Sequence, residues 1–374
     1  PWLGRLPSRL LLRKRPHMLD VRVEPRSERA PAMAFVVPLL AVALTLVFGT
    51  ALLAAIGKSP SAVIYSFFIQ PLSSLNGIGE ILLKAGPLIL IAQGLAIGYR
   101  ANVWNIGAEG QLTTGAIAGG TVAILNETSS SPLLLPAMML AGAAAGALWA
   151  GIAAFLRVRF SASEILTSFM LSSVAIQLLY YLVTGPLRDP MGMNFPQSIV
   201  FGDAALFGTL IPGTRANTSL LVGLAATLLA WLFMSRTMQG FRLVVGGLAP
   251  DAARYAGYSA ARSIWLSLLI GGACAGLAGV GEVAGPLGML QRNLSPGYGY
   301  AAIIVAFLGG LHPVGIVMAA LLMALLYVGG DFAVVSAGVP NASATILQGM
   351  LLVFYLAAAL LFTHRITWRK ALPT

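Results

Sequence analysis

Long apolar runs fill most of the chain, broken by short polar stretches. A helix needs roughly 20 apolar residues to cross a bilayer. By that measure ten candidate spans lie near residues 33–56, 81–99, 108–125, 133–156, 165–183, 218–234, 263–282, 300–311, 315–328 and 344–362. The eighth and ninth are short and are separated by His312-Pro313, so one broken hairpin is an equal reading there. The runs are too long and too continuous for the alternating strands of a β-barrel. The expected fold class is all-α, a polytopic membrane protein with about ten transmembrane helices. Three regions follow: a tail over 1–32, a membrane domain over 33–362 and a short tail over 363–374.

The distribution of charge sets the orientation, because Lys and Arg concentrate in cytoplasmic loops. With the N-terminus inside and ten crossings, only Lys58, Lys84, Arg188, Arg215 and Arg292 fall on or near the outer side, leaving 18 of the 23 Lys and Arg inside. Both termini are therefore expected in the cytoplasm. The net charge of +11 is a topology signal on this reading, and no nucleic-acid partner is expected. The 1–32 tail carries 8 Lys and Arg against 3 Asp and Glu. Met18 is its first methionine, so residues 1–17 read as lying upstream of the natural start, with a basic arm near anionic lipid as the alternative. The apolar run that follows is too long for a secretory signal. The outer segment 184–217 is rich in Gly, Pro, Asp and Asn and reads as a surface loop.

Composition removes several classes of function. Charged residues make up 9 % of the chain and hydrophobic ones 58 %. Soluble domains carry about 25 % charged residues. A soluble enzyme and a disordered chain are both excluded. A single cysteine, Cys274, leaves no intramolecular disulfide and no thiolate zinc cluster. The nearest approach to a phosphate-binding loop, Gly57-Lys58-Ser59, has Leu52 where the motif needs glycine. The three histidines are scattered. No catalytic constellation and no metal site is expected.

Four polar stretches carry the candidate chemistry. In the cytoplasmic segment 235–262, Pro250 suits the first helical position and Asp251 the positive end of the helix dipole. Gly257 suits the position just past the helix end. This predicts an isolated helix of about two turns, roughly 10 Å long. Its face is small, with Ala252, Ala253 and Ala256, and Arg254 lies between them and Gly257. Such a helix docks into a groove of another protein or lies on the lipid surface. The second stretch, residues 101–111, places Asn102, Trp104, Asn105, Glu109 and Gln111 between two apolar spans. Polar groups there are costly unless they face a cavity or a partner. A plain cytoplasmic turn with an interfacial Trp and a helix-start Glu is the alternative.

In the third stretch, Ser161 and Glu164 have the spacing of a capping box before the fifth span. The fourth, residues 290–300, holds Asn293 and Tyr298 on the outer side and leads into an apolar helix ending in Gly309-Gly310. Residues 101–111 lead into a helix carrying Gly119-Gly120 from the opposite face. An inverted repeat produces this pattern, with a site at the repeat interface; so does chance in a chain with 42 glycines. The Gly and Ala runs at 141–147 and 271–281 read as close helix contacts, within the subunit or across a dimer.

Residues Asp251 to Gly257 resemble the EAA-xxx-G loop of ABC importer permeases, with Asp in place of Glu. Residues 104–111 are similar to the FNIGAEGQ string of the nucleoside and simple-sugar permease family, with Trp104 in place of Phe. That family includes ribose-type and branched-chain amino-acid permeases. Residues 164–171 resemble its NEVISTIML helix start, with Ser163 at the position of Asn, and residues 295–300 its SPGYGY string. The resemblance runs from the first span to the last.

The resemblance implies the permease subunit of an ATP-binding-cassette importer in a bacterial inner membrane. It implies two ATPase subunits that bind ATP and Mg, a second permease subunit, alike or paralogous, and an extracytoplasmic substrate-binding protein. The permease itself holds no cofactor and is not an enzyme. Pro250, Asp251, Ala252, Ala253, Arg254 and Gly257 are then the ATPase-coupling residues. Asn102, Trp104, Asn105, Glu109, Gln111, Asn293 and Tyr298 are the expected substrate path. The expected solute is a nucleoside, with Trp104 stacking its base; a sugar or a vitamin is the alternative. The rival class is an ion-driven secondary transporter, which needs intramembrane carboxylates. Its candidates are Glu80, Glu109, Glu164 and Glu282, all near helix ends. A non-transporting membrane scaffold is a further rival, against which the polar broken segments speak.

Overall fold

Hydrophobic runs of this length fold as helices in a bilayer because every backbone N–H and C=O must be paired within the segment. The computed structural model describes residues 20–25, 33–55, 57–340 and 342–369. Its helices are α1 (Met33–Ala55), α2 (Pro60–Ile64), α3 (Leu75–Arg100), α4 (Ala108–Leu125), α5 (Leu134–Phe160), α6 (Glu164–Thr184), α7 (Ser219–Arg236), α8 (Met238–Leu248), α9 (Pro250–Tyr255), α10 (Ala260–Glu282), α11 (Tyr298–Leu308), α12 (Pro313–Ala337) and α13 (Ser343–Thr363). Each of the ten expected spans falls on one of these helices. Six, namely α3, α5, α6, α7, α10 with its extension to Leu287, and α12, are long and apolar enough to cross a membrane by those criteria alone.

The chain departs from the all-α expectation at its ends. Strands β1 (Asp20–Pro25) and β2 (His364–Arg369) pair antiparallel, with Asp20 opposite Arg369 and Pro25 opposite His364. This pairing brings the two ends of the described chain together. Residues 1–17, the subject of the start-site reading, lie outside the described residues.

Helix α3 is the axis of the bundle and packs against α7, α10, α11 and α12. Helix α10 lies beside it and also touches α4 and α5. Small residues make these approaches close. A Cβ on Gly115 of α4 would lie 2.2 Å from the Cα of Gly276 on α10. The glycine and alanine runs of α5 and α10 thus pack within the subunit. Helices α5, α6 and α7 turn Leu140, Leu166, Met170 and Leu229 outward, an apolar surface suited to lipid.

Three local readings need correction. The capping box does not form: Ser161 has φ 54° and ends α5, so it is not free to start α6. The Glu164 carboxylate instead pairs with Arg157 at 2.7 Å. The span expected at 315–328 is longer: α12 runs from Pro313 to Ala337 and includes Asp331, which closes the apolar window and pairs with Lys84 of α3 at 2.8 Å. Residues 60–72 are helical where no element was expected. Helix α2 continues through a π-turn (Tyr65–Ile69) and a 3-10 turn (Gln70–Leu72), with Phe67 buried and its carbonyl 2.2 Å from where a Cβ of Gly329 would sit.

Candidate functional site

The segment between α3 and α4 turns back into the bundle. Ala101 ends α3, and Asn102 takes the left-handed conformation with φ 55°. The Asn105 amide then lies 3.2 Å from where a Cβ of Gly271 would stand, midway along α10. The buried side chains of Asn105 and Gln111 hold the loop by two reciprocal amide bonds of 2.8 and 3.0 Å. The same Asn105 oxygen accepts from the Gly107 N–H at 3.0 Å, and the Tyr99 hydroxyl donates to the Asn105 carbonyl at 3.1 Å. These bonds satisfy irregular backbone inside the membrane domain, the condition for it to exist there. Helix α4 consequently starts inside the end of α6: Gly107 packs on Ser168 and Gly110 on Ser172.

A second segment does the same from the other direction. Past the π-turn at Val283–Leu287, Gly288 reverses the chain with φ 66°. Leu290 packs on Gly120 of α4 and exchanges hydrogen bonds with Ser198 in the 185–218 loop. Nine residues later, Gly299 packs on Glu109 of the same helix. The chain has run back along α4 by eleven residues of rise, about 16 Å. Helix α11 starts there and ends where the Arg100 guanidinium donates to the Leu311 carbonyl at 2.7 Å. Its eleven residues also give about 16 Å, roughly half of the hydrocarbon core. So the expected span at 300–311 is a half-helix. In both α3–loop–α4 and α10–loop–α11 a long helix is followed by a loop that turns back into the bundle, and the next helix starts there.

Helices α4 and α11 meet at their N-termini. The buried Glu109 carboxylate, in the first turn of α4, accepts from the Gly299 N–H in the first turn of α11 at 2.7 Å. The Ser295 hydroxyl oxygen accepts from the Gly297 and Tyr298 N–H groups at 3.1 and 3.0 Å and so caps the start of α11 beside this carboxylate. One negative charge thus serves the positive ends of two helices. Tyr298 is buried beside it, edge-on to Tyr327 of α12 with centroids 5.6 Å apart.

The remaining expected residues separate into three places. Trp104 is 36 % exposed and stacks on Phe307 of α11 at 5.7 Å, with Tyr99 5.2 Å away; its indole N–H donates to Asn102 at 3.0 Å. This aromatic group lies at the Arg100 end of the bundle. Asn293 is exposed at the opposite end and accepts from Gln291 through its backbone carbonyl. The third group is the short helix α9. Pro250 opens it, Ala253 is its buried residue, and Asp251, Ala252, Arg254 and Tyr255 are exposed. Gly257 follows with φ 76°, and the Gly257 and Tyr258 N–H groups bond back to Arg254 and Ala253.

Sequence reading missed the residues that join these places. Phe307 lay in an apolar run, Lys84 and Tyr327 lay in spans with Lys84 read only as an outer-side charge, and Asp331 lay just past the end of the ninth span. Lys84 bonds Asp331 and stands over the Tyr327 ring at 5.8 Å. An intramembrane lysine and aspartate on separate spans were the available signal. Glu282 is buried at the end of α10 in the same half of the bundle. Gly247 of α8 was also passed over, and a Cβ there would lie 2.2 Å from the Arg100 carbonyl. Among the described residues no group of His, Cys, Asp and Glu is placed to hold a metal ion.

Comparison with known proteins bears on this geometry. The family model for the branched-chain amino acid transport system permease component matches residues 77–356. The glucose ABC transporter permease protein TsgB13 of Haloferax volcanii is 37% identical over 358 residues, covering 93% of this chain and 94% of its own. The nucleoside ABC transporter permease protein NupB of Lactococcus lactis is 31% identical, covering 78% of this chain and 83% of its own. The guanosine ABC transporter permease protein NupP of Bacillus subtilis is 29% identical, covering 85% and 92%.

Proposed function

This chain belongs to the family of branched-chain amino acid transport system permease components, and from that membership we propose its solute, its partners and the roles of its residues. It is the membrane-spanning permease subunit of an ABC importer. It crosses the plasma membrane ten times with both ends in the cytoplasm. The β1–β2 pairing supports an even number of crossings, and the 18 to 5 division of Lys and Arg supports the orientation.

The solute is a nucleoside or a sugar, the kinds named for the three relatives above, with a vitamin as the alternative. The observation that carries a central site is the Glu109 carboxylate held where α4 and α11 meet. Transporter sites form at such junctions of broken helices. Glu109 and Tyr298 face the solute there. Asn105 and Gln111 hold the loop that positions Glu109. Asn102, Trp104 and Phe307 form the inner mouth, and Asn293 lies at the outer one. A carboxylate accepts hydrogen bonds from ring hydroxyls, and an aromatic platform stacks on a base or on a sugar face.

Helix α9 seats in a partner ATPase, which hydrolyses ATP, and a second permease subunit and an extracytoplasmic binding protein complete the importer. Support comes from the exposure of Asp251, Ala252 and Arg254 on a two-turn helix closed by Gly257. The test is purification of the complex from its native membrane, wild type against Ala252→Arg. Wild type is expected to bring down an ATPase and the variant to lose it. Vesicles holding the wild-type complex and ATP are then offered labelled guanosine or glucose with the binding protein. Uptake driven by an ion gradient and indifferent to ATP would overturn the reading.

A further inference from the structure

A cavity of about 310 Å³ lies beside α9, between α8 and the start of α10. Its polar lining is Gln239, Arg242, Tyr258, Ser259, Arg262 and Ser263, with no carboxylate among the lining residues. Arg242 is fixed within it: its guanidinium lies over the Tyr258 ring, 5.3 Å from the centroid. Its Nε is buried and has no hydrogen-bond partner among the described residues. A buried donor without an acceptor costs about 1–3 kcal/mol. Two guanidinium groups therefore face a cavity that supplies neither with a counter-charge. A guanidinium presents planar paired donors that match phosphate oxygens, and such pairs are short and strong.

The position of the cavity indicates where the anion comes from. Along α8, Met238, Phe241, Val245 and Leu248 form one stripe at helical spacing, and Met238, Phe241 and Leu248 are exposed. Leu243 and Gly240 are buried on the other side. A short helix with a buried face toward the bundle and an apolar stripe facing away lies in a membrane interface. Arg236, Arg242, Arg254 and Arg262 fall within this segment against Asp251 alone. Basic pockets at the ends of spans bind phospholipid headgroups.

We propose that this cavity binds a phosphate group, with Arg242 and Arg262 as its cationic ligands, carried by an anionic phospholipid at the level of α8. The site stands on the cavity and its arginines and does not depend on which ATPase, if any, α9 engages. An anchored headgroup there would hold α8 and the 256–259 turn at a fixed depth, beside the helix that moves.

The test uses the full chain purified in detergent, exchanged into equal mixtures of phosphatidylglycerol and phosphatidylcholine, with retained lipid read by native mass spectrometry. Wild type is expected to retain phosphatidylglycerol roughly tenfold over phosphatidylcholine, and the Arg242→Gln, Arg262→Gln double variant to show no preference. The Arg254→Gln variant alters an exposed charge outside the cavity and is expected to retain phosphatidylglycerol as wild type does, whatever its effect on the ATPase. A parallel arm titrates inorganic phosphate against thermal stability in neutral detergent. A phosphate shift that the double variant loses, without lipid preference, assigns the same site to free phosphate. Arg242→Lys with Arg262→Lys keeps the charge and guards against misfolding; partial retention is expected. Equal loss in Arg254→Gln would overturn the proposal in favour of diffuse charge. No lipid preference and no phosphate shift in wild type would overturn it as well, and loss of ATPase co-purification in the double variant would then assign the arginines to an acidic protein partner.

Discussion

The Glu109 carboxylate accepts a 2.7 Å hydrogen bond from the Gly299 N–H, a residue 190 positions away. That bond ties the first turn of α4 to the first turn of α11, so a side chain of α4 satisfies a free N–H at the start of α11. Replacing the carboxylate by an amide keeps an acceptor and removes the charge. Glu109→Gln is expected to fold and to lose most uptake; Glu109→Ala is expected also to lose about 1.5–3 kcal/mol of stability, the worth of a bond to a charged group. Thermal denaturation in detergent and uptake in vesicles separate the two effects. Full uptake by Glu109→Gln would show that the charge has only a capping role.

Gly299 has no room for a side chain. A Cβ there would lie 2.2 Å from the Glu109 nitrogen, which is backbone and does not yield. Gly299→Ala is expected to push α11 off α4 and to cost about 1–3 kcal/mol, the usual penalty of overpacking. A melting temperature equal to wild type would mean that α4 and α11 separate freely.

Trp104 stacks on Phe307, and Phe307 in turn on Tyr99 with centroids 5.1 Å apart. Each aromatic pair is worth about 0.5–1.5 kcal/mol beyond burial. Trp104→Ala is expected to leave the chain assembled, with weakened uptake at normal expression. Phe307→Ala should act in the same direction, and the double variant should fall short of the sum because the residues share one stack. Unchanged uptake by Trp104→Ala would remove the aromatic mouth from the transport path.

Gly247 sits three residues before α9, and its close approach to the Arg100 carbonyl brings α8 against the start of the re-entrant loop. On the proposed coupling role of α9, this contact and the Arg100–Leu311 bond link α8 to the end of α11. Gly247→Ala is expected to retain the ATPase in a pull-down while lowering solute moved per ATP hydrolysed. Loss of the ATPase itself would place the effect in folding or docking instead.

The Lys84–Asp331 pair has Asp331 largely exposed, so solvent screens it. Asp331→Asn is expected to change stability by less than about 1 kcal/mol. Lys84→Met reaches further, since Lys84 also covers the Tyr327 ring and is itself mostly buried. A larger loss for Lys84→Met than for Asp331→Asn, measured by thermal denaturation, checks the asymmetry.

Much of this molecule was decided by local chemistry. The apolar runs set ten helices because an unpaired backbone is intolerable in lipid. Pro250, Asp251 and Gly257 set α9, since each residue acts within a turn of its own position. Asn105 and Gln111 were visible as polar residues too costly to face lipid, but the reciprocal pair that satisfies them needed the loop closed in space. The short length of α11 was visible in the 300–311 run, but its position in the bundle was not, because an apolar window reports residue type and not depth. Its depth is settled by Gly299 on Glu109 at one end and Leu311 on Arg100 at the other, contacts between residues about 190 and 211 apart in sequence. The capping-box misreading has the same origin: Ser161 was taken by the end of α5, and Glu164 by Arg157 of that helix. Sequence alone determined where the long apolar helices run and how α9 begins and ends, because those terms act over a few residues. Tertiary structure alone decided which polar groups meet inside the bundle, because a buried charge is stabilised by whatever donor packing brings to it.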